Sequence, residues 1–264
     1  MKKIIAITAC LVLLASLGAC SIAQAEPMTD PNEPSAYGRE NAGDSVQTSA
    51  GVIVSYGGKR SVLVLSEKEG LLYLDLGKTA VTVNSKDSSF DKLKNGMTVE
   101  FTYDLIMESY PGQAVPKTLS ATETKTDYND ICSLYAEIID TLWKTDIALN
   151  ENGENVYLDL SEAPGLTDAQ KQAVEYLAQS VTGRTVTAAT MAELEKNGTF
   201  DKENLYIKDG CFIKIAGKAE SSSKMTLSAQ KYVSGLGAIF FDDCTAKWNS
   251  KGEWTFAPGT FAIS

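Results

Sequence analysis

The sequence contains no histidine, and this absence restricts the chemistry that the protein can perform. A Ser-His-Asp or Cys-His nucleophile pair needs an imidazole as its general base, so both are excluded. Zinc sites with histidine ligands are excluded for the same reason. Any catalysis would have to use carboxylates, lysine, tyrosine or a serine-lysine pair, and we expect no cofactor.

Positive charge is also scarce. The chain has 24 Lys and Arg residues against 34 Asp and Glu residues, a net charge of −10. Removal of residues 1–19 would take away Lys2 and Lys3 but no acid, leaving 22 basic residues against 34 acidic ones and a charge of −12. Such a protein is repelled by nucleic-acid phosphates, and no Lys/Arg cluster offsets the repulsion. We therefore expect no nucleic-acid partner.

Five cysteines are present, but no Cys-x-x-Cys motif, which excludes a cysteine metal cluster and a thioredoxin-type site. Cys10 and Cys20 belong to the N-terminal segment, so Cys132, Cys211 and Cys244 allow one disulfide at most. The predicted strands of Cys211 and Cys244 flank a third strand, which puts them roughly 9–10 Å apart, beyond disulfide reach. Cys132 is within reach of either strand. Three buried thiols are the favoured interpretation, and we expect no metal site.

Residues 1–19 have the features of a secretory signal, in which "MKK" precedes the apolar run "IIAITACLVLLASLGA". The stretch Leu17-Gly18-Ala19-Cys20 resembles the bacterial lipobox, where a small residue precedes the modified cysteine. The resemblance implies lipidation of Cys20 through a thioether-linked diacylglycerol, with acyl chains such as palmitate anchoring the protein to the extracytoplasmic face of the cell membrane. The alternative is an ordinary signal peptide cut after Ala19 or after Ala25.

Residues 20–48 are predicted to form a disordered tether after the acylated cysteine. The segment "SIAQAEPMTDPNEPSAYGRENAGDSVQT" is rich in Pro, Glu, Asn, Ser and Ala and has almost no apolar run. It cannot bury enough apolar surface to offset the entropy of ordering. A flexible coil of this length has an r.m.s. span on the order of 30 Å, which holds a folded body clear of the headgroups.

Residues 49–125 alternate between apolar and polar positions in short runs such as "GVIVSY", "SVLVLS", "LLYLDL" and "TAVTVN". Turn residues separate these runs, and the pattern is typical of strands. One short helical stretch, "SSFDKLKNG", comes before "MTVEFTYD". Five or six strands with one small helix predict a mostly β domain, a small closed barrel of the OB type.

The stretch "LKNGMTVEFTYD", followed by "IMESYPGQAVP", resembles a small extracytoplasmic domain found in uncharacterised lipoproteins of Gram-positive, clostridial-type bacteria. Leu105 stands where that family usually has glycine. The resemblance implies an OB-like fold and an extracytoplasmic location, and it brings no activity. The Tyr110-Pro111-Gly112-Gln113 segment is typical of a type II turn. The alternative is a ligand loop at the barrel mouth, with Glu108, Tyr110 and Gln113 as binding residues.

Residues 126–264 predict an α+β domain with helices packed on an antiparallel meander sheet, similar to an NTF2-like or cystatin-like fold. The segment "YNDICSLYAEIIDTLWKTDIAL" has the apolar stripe of a long helix, and capping boxes at Thr167 and Thr190 begin two more. Asp209-Gly210 predicts a two-residue hairpin turn between alternating strands. The segments "YIKDGCFIKI" and "AQKYVSGLGAIFFDDCTAKW" resemble a C-terminal region of clostridial-type secreted proteins, without a catalytic residue.

These patterns predict a membrane-anchored lipoprotein that binds a small ligand or an envelope protein. Both predicted domains have architectures that often bind, and no catalytic motif is found. The alternative is an envelope hydrolase that uses carboxylate or lysine chemistry. Aromatic residues favour core positions at these spacings, and a binding surface is the alternative interpretation of Trp143, Trp248, Trp254 and Tyr232.

Overall fold

The alternating runs at the start of the folded chain become nine strands of one sheet. The structure is a computed structural model that describes residues 46–56, 60–123 and 129–264, so Cys20 and the predicted tether up to residue 45 lie outside it. The strands are β1 (Gln47–Tyr56), β2 (Ser61–Ser66), β3 (Gly70–Asp75), β4 (Ala80–Val83), β5 (Lys86–Ser88), β6 (Thr98–Tyr103), β7 (Ile106–Met107), β8 (Gly112–Ala114) and β9 (Thr118–Thr122).

This first sheet has the strand order β5-β4-β9-β6-β1-β2-β3-β8-β7. The pairs β3–β8 and β4–β9 are parallel, and the other pairs are antiparallel. Residues 112–122 supply both β8 and β9, so one stretch of chain pairs with β3 at its start and with β6 at its end. A short 3-10 turn, Phe90–Lys92, precedes β6 where the sequence predicts a short helix.

Three helices carry the amphipathic segments of the second half: α1 (Ile131–Lys144), α2 (Asp168–Thr182) and α3 (Met191–Lys196). The predicted capping boxes are confirmed. At Thr167 the side chain accepts from the Gln170 backbone, and the Gln170 side chain accepts in return from the Thr167 N–H. Thr190 and Glu193 repeat the arrangement at α3. Helix α2 ends at Gly183, whose φ of 66° suits a residue without a Cβ.

The second sheet is mixed, with the core order β11-β10-β14-β15-β16. The far half of β16 pairs with β17 and its first half with β18. Its strands are β10 (Asn155–Asp159), β11 (Thr185–Ala188), β12 (Phe200–Asp201), β13 (Tyr206–Ile207), β14 (Gly210–Ser221), β15 (Lys224–Ser234), β16 (Gly237–Trp248), β17 (Trp254–Ala257) and β18 (Thr260–Ile263). The chain is therefore mostly β, with two sheets and few helices.

The predicted Asp209-Gly210 hairpin is wrong. Strand β13 pairs with β12 and β15, and β14 pairs in parallel with β10 and antiparallel with β15. The Asp209 side chain accepts from Asn155 Nδ2 at 2.9 Å, so the turn fastens β14 to β10. Since β10 pairs in parallel on both sides, the predicted antiparallel meander is limited to β14–β18.

One apolar core joins the two helices to both sheets. Helices α1 and α2 pack on β10 and β14–β17 on one side, and they contact Val54, Leu63 and Leu71 of the first sheet on the other. The first sheet has a second core on its other face, formed by residues such as Val64 and Leu72. The described residues form one compact unit.

The three cysteines of the described chain confirm the buried-thiol prediction. Cys132 on α1, Cys211 on β14 and Cys244 on β16 are buried and free. Burial raises the pKa of the Cys132 and Cys211 thiols to about 12, so neither is a thiolate nucleophile at neutral pH. No helix in the described part of the chain combines the length and the apolar character needed to cross a membrane.

Candidate functional site

The predicted ligand loop lies between β7 and β8 and packs against α2. The Tyr110 hydroxyl is 3.5 Å from the Gln172 carbonyl, and its ring meets Tyr176 edge-on at 6.2 Å between centroids. Partial burial raises the pKa of Tyr110, and nearby Glu175 adds to the effect. The loop therefore helps to hold the first sheet against α2.

Glu108 and Gln113 flank this contact. Glu108 is exposed, and the Gln113 side chain donates to Ser109 within the same loop at 3.4 Å. Neither residue lines the cavity described next. A binding role for Glu108, Tyr110 and Gln113 stays a prediction.

The hairpin between β16 and β17 presents two aromatic side chains to a cavity. Asn249 Oδ1 accepts from the N–H groups of Lys251 and Glu253 at 2.8 and 3.2 Å, which closes the turn. The turn places Trp248 and Trp254 opposite each other across the strands, with ring centroids 5.6 Å apart and planes at 74°. This edge-to-face pair fixes the orientation of both rings.

A loop of the first sheet, residues 93–97, faces this hairpin. Asn95 holds it in place, because its Oδ1 accepts from the Tyr56 N–H at 2.6 Å and its Nδ2 donates to Ser133 Oγ at 2.9 Å. Gly96, with φ of 81°, allows a close approach to the start of α1: a Cβ at Gly96 would lie 3.0 Å from the Asp130 Cβ. The loop is therefore tied to both the first sheet and α1.

Between the loop and the hairpin is a cavity of about 420 Å³, which we call the tryptophan groove. Its size suits a small ligand. The walls come from three parts of the chain: the first sheet and its loop, the residue before α1, and the β16–β17 hairpin. The polar and aromatic side chains on these walls are Tyr56, Lys94, Asn95, Glu123, Asp130, Trp248, Lys251, Glu253 and Trp254.

Asp130 is the unusual residue of the groove. It precedes α1, but its carboxylate does not cap the helix, and Oδ1 is buried without a hydrogen-bond partner among the described residues. Burial raises the pKa of Asp130 to about 6, the Ser133 hydroxyl opposes the shift, and Glu253 and Glu137 add to it. Buried polar atoms are rarely left unpaired, and perturbed carboxyl groups in clefts are typical of functional sites.

The other charges of the groove are arranged differently. Lys94 pairs with Glu123 at 3.1 Å on the wall formed by the first sheet. No group of three or more potential metal ligands occurs among the described residues. The groove therefore combines an aromatic wall, a satisfied ion pair and a carboxyl group that titrates near neutral pH.

A scan of the chain against protein-family models finds no match, and searches of curated proteins and of solved structures find none. The chemistry of the groove residues therefore carries the functional argument.

A second cavity, of about 360 Å³, lies beside Asp159 and Lys214 on the second sheet. Buried Asp159 accepts from Ser161 Oγ at 2.5 Å, and Lys214 lies 3.7 Å from Asp159 and also pairs with Glu162. The bond to Glu162 raises the pKa of Lys214, so this lysine is protonated and cannot act as a base for Ser161. The charges here satisfy one another.

The sequence indicated part of the groove. Of the four aromatic residues predicted as an alternative binding surface, the structure brings Trp248 and Trp254 together, whereas Trp143 and Tyr232 do not line the groove. The turn at Asn249 brings the two flanking tryptophans into contact. No sequence pattern around Asp130 predicts its burial, because Gly96, which approaches it closely, belongs to a distant loop.

Proposed function

We propose that the protein is a lipid-anchored lipoprotein on the extracytoplasmic face of the cell membrane that binds a ligand in the tryptophan groove. The buried, unpartnered Asp130 oxygen beside an aromatic wall carries the binding proposal. A ligand that donates a hydrogen bond there would satisfy the buried oxygen, whereas an apolar surface cannot donate one. The resemblance of residues 17–20 to a lipobox carries the proposal of an anchor.

We also propose a specific fold type for each half of the chain. In the first sheet, β1 pairs with β2, β2 with β3 and β3 with β8. The same stretch of chain continues into β9, which pairs with β6, and β6 pairs with β1. This closed strand order is that of an OB-type barrel and supports that assignment for residues 49–125. Helix α1 against the sheet of residues 126–264 supports an NTF2-like or cystatin-like layer arrangement, although parallel β10 departs from a simple meander. Kinship with clostridial-type lipoproteins is proposed on the quoted segments.

The anchor is tested by substitution of the proposed acylation site. Cys20→Ser is expected to release the protein into the culture medium and to abolish labelling by radioactive palmitate. Cys10→Ser is the matched control, because Cys10 lies in the segment that processing removes and its loss leaves membrane retention unchanged. Retention of the Cys20→Ser protein on membranes would refute the lipobox assignment.

Ligand binding is tested with the acylated protein recovered from detergent-solubilised envelope. Mass spectrometry of molecules eluted from wild type and from Trp248→Ala is compared. We expect a molecule that is enriched at least tenfold with wild type over Trp248→Ala, since the variant loses one wall of the groove. Glu162→Gln, beside the second cavity, is expected to retain it. Identical eluates from wild type and Trp248→Ala would contradict the proposal.

A carboxylate hydrolase is the second candidate function. The observation that favours it is the pair of Asp130 and Glu253 in one groove, where Asp130 has the raised pKa of a general acid. In this case the wild-type protein would release soluble sugars from insoluble cell-wall polysaccharide, and Asp130→Asn would slow release at least 100-fold. Absence of release by the wild type would leave binding as the function of the groove.

A further inference from the structure

The charges on the groove walls leave one carboxylate unmatched. Lys94 is already paired with Glu123, so Lys251 remains as the other cation of the described walls, against Asp130 and Glu253. Of these acids, Asp130 has its Oδ1 buried away from water and without a hydrogen-bond partner in the described chain. The walls that the structure describes are therefore short of one positively charged hydrogen-bond donor.

Three classes of ligand differ in how well they supply that donor. An anionic group would meet Asp130 and Glu253 and be repelled. A metal ion needs several protein ligands, and no such group exists among the described residues. A protonated amine supplies both the charge and the donors, and it is also attracted to the faces of aromatic rings such as Trp248.

We propose that the tryptophan groove binds a ligand with a protonated amine on a compact body that has an apolar face, such as an amino sugar, with the amine on Asp130 and Glu253 and the body against Trp248. This inference rests on the proposed function and names its ligand class. The volume of about 420 Å³ suits a ligand on the scale of a sugar.

The inference makes binding depend on pH. The pKa of Asp130 is about 6, so the carboxylate that pairs with the amine is mostly neutral at pH 5 and mostly ionised at pH 7. Amine affinity is expected to rise about tenfold over this interval. Among the described residues, the other titratable groups near Asp130 come from the hairpin, α1, the first-sheet loop and the end of β9: Glu253, Lys251, Glu137, Cys132, Lys94 and Glu123.

The test uses the full mature chain in detergent micelles and follows tryptophan fluorescence, because two of the three tryptophans line the groove. Three probes are titrated at pH 5 and pH 7: glucosamine, glucose and cyclohexylammonium. We expect saturable changes with both amines at pH 7, affinities about tenfold weaker at pH 5, and glucose at least tenfold weaker than glucosamine. Cyclohexylammonium separates the contribution of the amine from that of the sugar hydroxyls.

Two variants distinguish the specific carboxylate from general acidity. Asp130→Asn is expected to weaken glucosamine at least tenfold and to remove the pH dependence. Glu162→Gln is the control outside the groove, since Glu162 lies beside the second cavity and pairs with Lys214, and it is expected to bind glucosamine within twofold of wild type.

The contrary results distinguish failure of the amine inference from failure of the proposed function. Equal affinity for glucose and glucosamine would overturn the amine inference and leave the ligand-binding proposal standing. Absence of a saturable change with either amine, or unchanged affinity in Asp130→Asn, would also overturn it. The proposed function fails separately, through identical envelope eluates from wild type and Trp248→Ala.

Discussion

Lys231 and Asp130 both place a charged group out of contact with water, but their partners differ. Lys231 is fully buried, and its ammonium donates to the Thr145 and Asp146 carbonyls and to Asn150 Oδ1 at 2.7 to 3.0 Å. Asp130 has a buried oxygen with no such partner in the described chain. Lys231 therefore binds the carbonyls at the end of α1, with a pKa lowered by burial to about 8, whereas the buried Asp130 oxygen has no donor among the described residues.

Replacement of Lys231 tests its structural role. Lys231→Met keeps the length of the side chain but leaves the carbonyls after α1 without a donor, so we expect the free energy of unfolding to fall by about 3 kcal/mol. Lys224→Met on the same strand removes a partly exposed lysine paired with Glu220 and is expected to cost less than about 1 kcal/mol. Urea denaturation at pH 7 measures both. Equal losses of unfolding free energy in the two variants would show that the buried hydrogen bonds of Lys231 contribute no more to stability than the surface pair of Lys224.

Asp130 makes stability depend on pH in a defined direction. Its folded-state pKa of about 6 exceeds the ordinary value of 3.8, so the folded protein holds an extra proton between about pH 4 and 6. Stability therefore falls as pH rises through this window. Asp130→Asn is expected to be more stable than wild type by about 1–2 kcal/mol at pH 7, with the pH-dependent gain absent below about pH 4. Denaturation at pH 3.5, 5 and 7 measures it, and a difference independent of pH would refute the shift.

At the scale of elements, the sequence predicts local contacts and misses long-range pairing. The capping boxes of α2 and α3 depend on residues three apart, and the structure has both of them. Asp209-Gly210 has the local chemistry of a hairpin, but its partner is Asn155, more than fifty residues away. Residues near in sequence cannot report such a contact, and the same applies to Asp130 and Gly96 in the groove.

Glycine substitutions test this explanation of the Asp209-Gly210 error. Gly210 has φ of 147°, and a Cβ there would overlap the Asn155 carbonyl. We expect Gly210→Ala to destabilise the protein by about 3 kcal/mol or more. Gly70→Ala is the control, because Gly70 also has positive φ but has open space around it, and about 1 kcal/mol is expected. Denaturant midpoints compare the two, and similar losses would mean that the contact with β10 is unimportant.

The prediction of a ligand loop missed a long-range contact of the same kind. The type II turn predicted at Pro111-Gly112 is wrong, because Gly112 lies in β8 and lacks the positive φ that such a turn requires. The surface that the loop faces belongs to α2, more than fifty residues further along the chain. A loop judged by its own residues therefore resembled a barrel mouth. The walls of the groove come from three distant segments of the chain. Only the two tryptophans that flank one hairpin turn are close enough in sequence for their contact to be predicted.

At the scale of the whole molecule, adjacent residues of one strand belong to different cores. On β3, Leu71 packs against the helices in the core shared with the second sheet, and Leu72 packs inside the first sheet. Residues 49–125 and 126–264 were predicted as separate domains, and the shared core means that the helices bury apolar surface of both. Because β3 contributes to both cores, we expect loss of packing in one to weaken the other.

Unfolding is therefore expected to be a single transition for residues 46–264. Leu72→Ala, inside the first sheet, should cost about 2–4 kcal/mol. All three tryptophans, Trp143, Trp248 and Trp254, lie in the second half of the chain, so their fluorescence reports on that half. We expect the fluorescence midpoint in urea to fall together with the far-ultraviolet circular dichroism midpoint, as in the matched variant Leu71→Ala. If Leu72→Ala left the tryptophan midpoint at its wild-type value, the two sheets would unfold independently, and the groove between them would be lost together with the core of the first sheet.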